Sequence, residues 1–127
     1  PERNQKENLP AGYGIVVKAT DKVIGSVDFN HRYEDDVLEV GYTLHPDYWG
    51  RGYVPEAARA LIDEAFKELG LHKIELSCYS HNLQSQRVAE KLGFTLEARI
   101  RDRKDARGNR CDDLRYGILR SEWEEKM

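Results

Sequence analysis

The sequence predicts a mixed-sheet α/β domain, and three observations carry that prediction. Short strand-like segments rich in β-branched residues lie near the front of the chain, and a second hairpin-like pair lies near its end. Two amphipathic stretches, PEAARALIDEAF and LQSQRVAEKL, interrupt them with helical spacing. Between those stretches lies one more strand-like segment, KIELSCY, and a strand–helix–strand run implies a right-handed crossover with a parallel pair.

Each element follows in order. Tyr13 to Ala19 and Val23 to Phe29 flank TDK and read as a hairpin. His31 to Asp36 is polar and reads as the next turn. Val37 to Leu44 alternates, with Leu38, Val40, Tyr42 and Leu44 on one face and Glu39, Gly41 and Thr43 on the other. The first helix starts after GRG and runs to about Leu69, burying Ala57, Ala58, Leu61, Ile62, Ala65, Phe66 and Leu69. Pro55 is tolerated only in its first turn, and Gly70 stops it. Lys73 to Tyr79 is the strand expected beside Val37–Leu44. A second helix, Leu83 to Leu92, has Asn82 as its N-cap and ends at Gly93. Phe94 to Arg103 and Arg110 to Leu119 form a closing hairpin around DARGN, and SEWEEKM is a short tail.

The bulk numbers narrow the function. A chain of 127 residues suits one domain, 1–127, with a real core. Hydrophobic residues make up 39% and charged residues 34%, the balance of a globular protein with a solvated surface. The net charge is −3 with no single-sign block, so direct nucleic-acid binding is not expected. No apolar run approaches the roughly 20 residues that span a bilayer, so no membrane partner is expected. PERNQKEN is too polar for a signal peptide. Cys78 and Cys111 read as reduced thiols of a cytoplasmic protein. Four scattered histidines suggest no metal site.

The segment HPDYWGRGYV poses the functional question, because glycines are poor company for a helix start. A helix N-terminus attracts phosphate, and Gly50 and Gly52 would let it approach the backbone, with Arg51 adding charge. The same GxG also fits a tight turn with no ligand. It is neither a P-loop, lacking GK[ST], nor a dinucleotide fingerprint, lacking the third glycine.

The context is more specific. EVGYTLHPDYWGRGY, the NxxSxxVAEKLGF helix, GFTLEARIRD and the GNRCDDLRY hairpin ending in EW occur in that order. Over about Gly25 to Trp123 the chain resembles the GCN5-related N-acetyltransferase (GNAT) family, and more narrowly its ribosomal-protein N-terminal acetyltransferase (RimJ/RimL-like) branch. The resemblance implies a mixed, mainly antiparallel sheet with a central splayed parallel pair and flanking helices, the acyl-CoA N-acyltransferase fold. It implies acetyl-CoA as co-substrate. The pyrophosphate would lie on the amides of Trp49, Gly50, Arg51, Gly52, Tyr53 and Val54, and the pantetheine arm beside Tyr42, Thr43 and Leu44. Asn82 and Ser85 would sit near the thiol end.

The chain departs from the family pattern twice. Asp47 stands where Gln or Arg is usual, and would serve as a helix cap. The strand and two helices that usually precede the segment matching Tyr13–Ala19 have no counterpart. A fragment, a minimal variant and a protein completed by a partner are the readings of that gap. An exposed sheet edge there would favour a homodimer.

The activity implied is transfer of the acetyl group to a primary amine by direct attack on the thioester. The acceptor is foremost a protein N-terminus, and otherwise a polyamine, amino acid or aminoglycoside. A CoA-binding module without transfer is the rival. Direct attack requires loss of the amine proton, oxyanion stabilisation and protonation of the departing thiolate. Glu39 is the candidate base, with room expected from Gly41 beside it; a strand carboxylate paired with a lysine is the alternative. Ser85 is the candidate thiolate acid, or only a backbone partner, and Tyr79 is its rival as acid. His31, Tyr33, Glu97 and Asp112 are candidates for the acceptor site. Tyr48, Trp49 and Tyr53 either cover the coenzyme entrance or anchor the helix start, with Trp49 expected in the core.

Overall fold

The structure is a computed structural model that describes residues 9–125. Strands β1 (Tyr13–Val17), β2 (Lys22–Glu34) and β3 (Val37–Leu44) lead through a 3-10 turn (Pro46–Tyr48) into helix α1 (Tyr53–Leu69). Strand β4 (Lys73–Tyr79), helix α2 (Leu83–Lys91), strands β5 (Thr95–Lys104) and β6 (Arg110–Leu119) and helix α3 (Arg120–Glu125) follow. The sheet runs β1-β2-β3-β4-β6-β5. Among the described residues only β3 and β4 are parallel, and antiparallel strands flank them on both sides. This is the mixed sheet with a central parallel pair that the sequence predicts.

The parallel pair is short. Its registered partners are Val37–Lys73, Leu38–Ile74 and Glu39–Glu75. Beyond Glu39 the two strands part, so Val40–Leu44 and Leu76–Tyr79 diverge around an opening in the middle of the sheet.

One face of the sheet carries the core. Leu38 and Val40 of β3, and Ile74 and Leu76 of β4, are buried against Ala58, Leu61, Ile62, Ala65 and Phe66 of α1 and Val88, Ala89 and Leu92 at α2. The three-and-four spacing of α1 is therefore its buried stripe. Val54 joins that stripe, whereas Leu69 at the final turn is exposed. Gly70 ends α1 and Asn82 caps α2, its Oδ1 accepting from the Ser85 amide at 3.1 Å.

Two elements differ from expectation. The polar segment HRYE continues β2 instead of turning, so the β2–β3 connection is only Asp35–Asp36. His31 and Tyr33 belong to the sheet face opposite the helices, and two register shifts, between Phe29 and His31 and between Arg32 and Glu34, hide the strand period. Asn30 and Tyr33 are the extra residues at those bulges.

The described part of the tail is also ordered. It folds as α3, with Trp123 buried against Phe66 and its Nε1 donating to Asp63. Arg120 ties α3 to the end of α1. Its guanidinium donates to the carbonyl of Phe66 in the last turn of α1, where a helix leaves carbonyls without intrahelical partners, and to that of Leu71 just past the helix. An Arg120→Ala variant should lose about 1–3 kcal/mol, since both carbonyls lose their donor. Arg120→Lys should recover little of it, because a point charge cannot serve two acceptors as a planar fork does. Urea unfolding with an unchanged slope is the check; a midpoint equal to the parent's would show that Arg120 is not a clasp.

Candidate active site

Where β3 and β4 part, a cleft of ≈ 1260 Å³ opens between the end of β3, the start of α1 and the first turns of α2. Tyr42, Thr43 and Leu44 form one wall. Gly50, Gly52 and Val54 line one end, and Tyr79, Asn82 and Ser85 the other wall. The structure thus brings together most of the residues singled out in the sequence as coenzyme contacts. Arg51 and Tyr53 are not on the lining. The Arg51 guanidinium lies over the Tyr48 ring, 5.4 Å from its centroid, and Tyr53 packs edge-on against the same ring.

The glycine turn is shaped as the sequence suggests. Gly50 and Gly52 have φ of 77° and 82°, the left-handed region, and Gly52 is the N-cap of α1 with no side-chain cap of its own. A Cβ at either position would meet no protein atom within 4 Å, so both face open space. Among the described residues, the amides from Gly50 to Val54 have no hydrogen-bond partner. They lie at the positive end of α1. The Trp49 amide is different, because it donates to the Pro46 carbonyl at 3.2 Å.

Trp49 itself corrects the sequence reading. It is 50% exposed on the cleft rim, not in the core, and its Nε1 donates to the Leu44 carbonyl at 3.0 Å. The core anchors of this turn are Tyr48 and Tyr53. Asp47 does not cap α1. It lies in the 3-10 turn, 3.6 Å from His45 Nδ1, and is not among the cleft residues.

At the inner end of the cleft, the Tyr42 hydroxyl and the Ser85 hydroxyl are hydrogen-bonded to each other across the gap between β3 and α2. Ser85 is only 7% exposed. Burial pushes the Tyr42 phenol above its ordinary value, which keeps it protonated. Cys78 nearby is no nucleophile: burial, then Asp113, push its thiol up to about 11.

Glu39 is not on the cleft lining. It sits on the face away from the helices, at the last registered rung before the strands part. Among the described residues no lysine pairs with it. Its Oε2 accepts from the Tyr33 hydroxyl and its Oε1 from Ser77 Oγ at 3.2 Å. The room expected beside it is filled, since a Cβ at Gly41 would collide with the Asn30 side-chain amide. The four acceptor-site candidates do not assemble. His31 and Tyr33 pack edge-to-face at 4.4 Å, but Glu97 pairs with Lys73 at 2.7 Å and Asp112 with Arg99.

Sequence reasoning missed the basic and polar rim. Arg87 and Lys91 of α2 lie one turn apart on the cleft, and Arg107 reaches it from the β5–β6 turn. That turn is held by Asp105, which binds His81 at 2.9 Å and accepts from the Arg107 and Asn109 amides. The His81 contact first, then the turn amides, keep the Asp105 carboxyl below the usual range. The i, i+4 spacing of Arg87 and Lys91 was the available signal, but on a surface helix it reads as solvated charge.

No helix among the described residues is long and apolar enough to cross a membrane. Residues 2–95 match the family model Acetyltransf_3, the acetyltransferase (GNAT) domain. The chain is 36% identical to the uncharacterized N-acetyltransferase p20 of Bacillus licheniformis over 112 residues, covering 87% of this chain and 63% of p20. The ribosomal-protein-S5-alanine acetyltransferase of Vibrio fischeri has the same fold, with a TM-score of 0.81, 29% identity, and coverage of 94% of this chain and 67% of that one. The microcin C7 self-immunity acetyltransferase MccE, in complex with acetyl-CoA and AMP, superposes with a TM-score of 0.70 at 27% identity over 77% of this chain and 55% of that one. A split parallel pair, a glycine turn of unpaired amides and a family match over most of the residues lead to one assignment: the chain belongs to the GNAT acetyltransferase family.

Proposed function

We propose that this protein transfers the acetyl group of acetyl-CoA to a primary amine by direct attack on the thioester. The observation that carries the reading is the parting of β3 and β4 after Glu39, which joins a slot for a thioester arm to a cradle for a diphosphate. The residues fit the coenzyme: unpaired amides from Gly50 to Val54 suit the pyrophosphate, and Arg87, Lys91 and Arg107 suit its remaining charge. The unpaired edge of Val40–Leu44 suits an amide-bearing arm, although the Leu44 carbonyl is already bonded to Trp49.

Bound acetyl-CoA supplies the electrophilic carbonyl. Glu39 takes a proton from the incoming ammonium, because only the free amine attacks. The departing sulfur receives a proton from the Tyr42–Ser85 pair, and a neutral buried phenol behind Ser85 suits that donation. Tyr79, exposed at the end of β4, is the rival acid. No nucleophilic side chain is needed, in keeping with the raised Cys78.

A protein N-terminus is the first acceptor, on the likeness to the Vibrio fischeri ribosomal-protein acetyltransferase and to the RimJ/RimL-like motifs. The reading places the enzyme in the cytoplasm. The test is calorimetry with acetyl-CoA followed by thiol release with an alanine-starting peptide, spermidine and free lysine. Binding with a dissociation constant between about 1 μM and 1 mM is expected, with fastest release for the peptide. No heat at about 1 mM coenzyme overturns the reading. Binding without release for any amine would leave a CoA-binding module, and fastest release for spermidine or lysine a small-molecule enzyme.

A further inference from the structure

The outer face of the sheet holds a hydrogen-bonded chain around Glu39 whose other members the transfer reaction, as described, does not use. The second β2 bulge sets Tyr33 over β3, where its hydroxyl donates to Glu39 Oε2. Arg115 of β6 donates to the same hydroxyl from Nη1 at 2.8 Å. Its other two nitrogens are tied to Asp113, at 3.2 and 3.0 Å, so its place is fixed. Ser77 occupies the second oxygen of Glu39.

A phenolic hydroxyl has one donor and two acceptor lone pairs. The Tyr33 donor is committed to Glu39 and one lone pair to Arg115, which leaves one lone pair. Tyr33 is 39% exposed, whereas Glu39 is half-buried behind it. The helices fill the opposite face, so among the described residues the sheet face of Tyr33 is the one from which an amine can reach the split. We infer that Tyr33 is the group that touches the acceptor, relaying its proton to Glu39, with Arg115 as a positioning residue. The inference rests on the acetyl-transfer reading and deepens it.

The protons balance. The ammonium gives one proton to the Tyr33 oxygen as the Tyr33 hydroxyl proton passes to Glu39 Oε2, so the phenol ends neutral and the carboxyl protonated. The free amine attacks the thioester carbon, the C–S bond breaks, and a second nitrogen proton is lost as the sulfur gains one. Glu39 then returns its proton to water. Tyr33 is suited to pass a proton on rather than keep or lose one: burial first, then Glu39, push its pKa up to about 12, and Arg115 opposes them. Glu75 and Asp113 are the other carboxylates near this chain, and His31 packs edge-on against the Tyr33 ring.

The experiment is a Tyr33→Phe variant of the full chain, assayed by CoA release with an alanine-starting peptide from pH 6 to about 9.5. At pH 7 kcat should fall roughly 10²-fold, the usual size of a general-base contribution, with the acetyl-CoA dissociation constant within about twofold. The deficit should shrink below about tenfold near pH 9.5, where the peptide amine, of pKa about 8, arrives unprotonated. A Tyr33→Phe/Glu39→Gln double variant should be no slower than the slower single variant, because the two act in one path. Parental kcat and pH profile in Tyr33→Phe, or multiplying losses in the double variant, overturn the relay. So does a drop in thermal midpoint with an unaltered pH profile, the signature of a merely structural role. If the parent protein itself releases no CoA, the transfer reading fails and the relay with it, a result distinct from an active parent with an indifferent Tyr33.

Discussion

A Glu39→Gln variant should turn over roughly 10²–10⁴-fold more slowly at neutral pH while binding acetyl-CoA as tightly as the parent, within about twofold. The asymmetry follows from where Glu39 sits. It marks the last rung before β3 and β4 part and lies off the lining of the coenzyme cleft, so its charge is not part of coenzyme binding. Glutamine keeps the shape and can still accept from the Tyr33 hydroxyl and meet Ser77, so stability should change by less than about 0.5 kcal/mol. What glutamine cannot do is hold a proton. The loss should therefore appear in kcat and in kcat/KM alike, the pattern of an interaction made only in the transition state. Stopped assays across pH with saturating acetyl-CoA decide it. Turnover equal to the parent's at every pH would remove Glu39 from the reaction.

The helices and their ends were legible because local chemistry specifies them. Asn82 three residues before Ser85, and the spacing of Leu61, Ile62, Ala65 and Phe66, are decided within a few turns of chain. The split cleft was legible only through ordered motifs, since no single segment says where two parallel strands cease to pair. What stayed hidden depends on partners far along the chain. HRYE reads as a turn because its side chains are polar, yet Tyr33 within it serves a sheet face shared with Glu39, Ser77 and Arg115. Two bulges in β2 then break the alternation that would have exposed the strand. Trp49 and Tyr48 carry no signal in sequence for which of them turns inward; the Leu44 carbonyl holds Trp49 out on the rim. The short α3 is below the length at which periodicity speaks, and its anchor is the clasp of Arg120 on the end of α1.

The second large effect separates backbone strain from coenzyme recognition by comparing two glycines. Gly52 and Gly70 both lie in the left-handed region, at φ 82° and 64°, and a Cβ at either would meet no protein atom within 4 Å. In the free protein, Gly52→Ala and Gly70→Ala should therefore cost the same, about 1–2 kcal/mol from the left-handed backbone alone. They differ in what faces the added methyl. Gly70 ends α1 and is not among the cleft residues, whereas Gly52 begins α1 and lines the cleft beside the unpaired amides of the turn. A methyl at position 52 stands where a diphosphate would meet those amides, and holding its oxygens off by an atom's width forfeits several charge-assisted hydrogen bonds of about 1.5–3 kcal/mol each. The expected result is a loss of acetyl-CoA affinity of at least 10²-fold in Gly52→Ala, about 2.7 kcal/mol, against less than about twofold in Gly70→Ala. Thermal unfolding with and without coenzyme reads both quantities at once, because a ligand raises the midpoint only of a protein that binds it. Equal destabilisation with a coenzyme shift retained in both variants would mean that the glycine turn is only a turn, and that the diphosphate lies elsewhere.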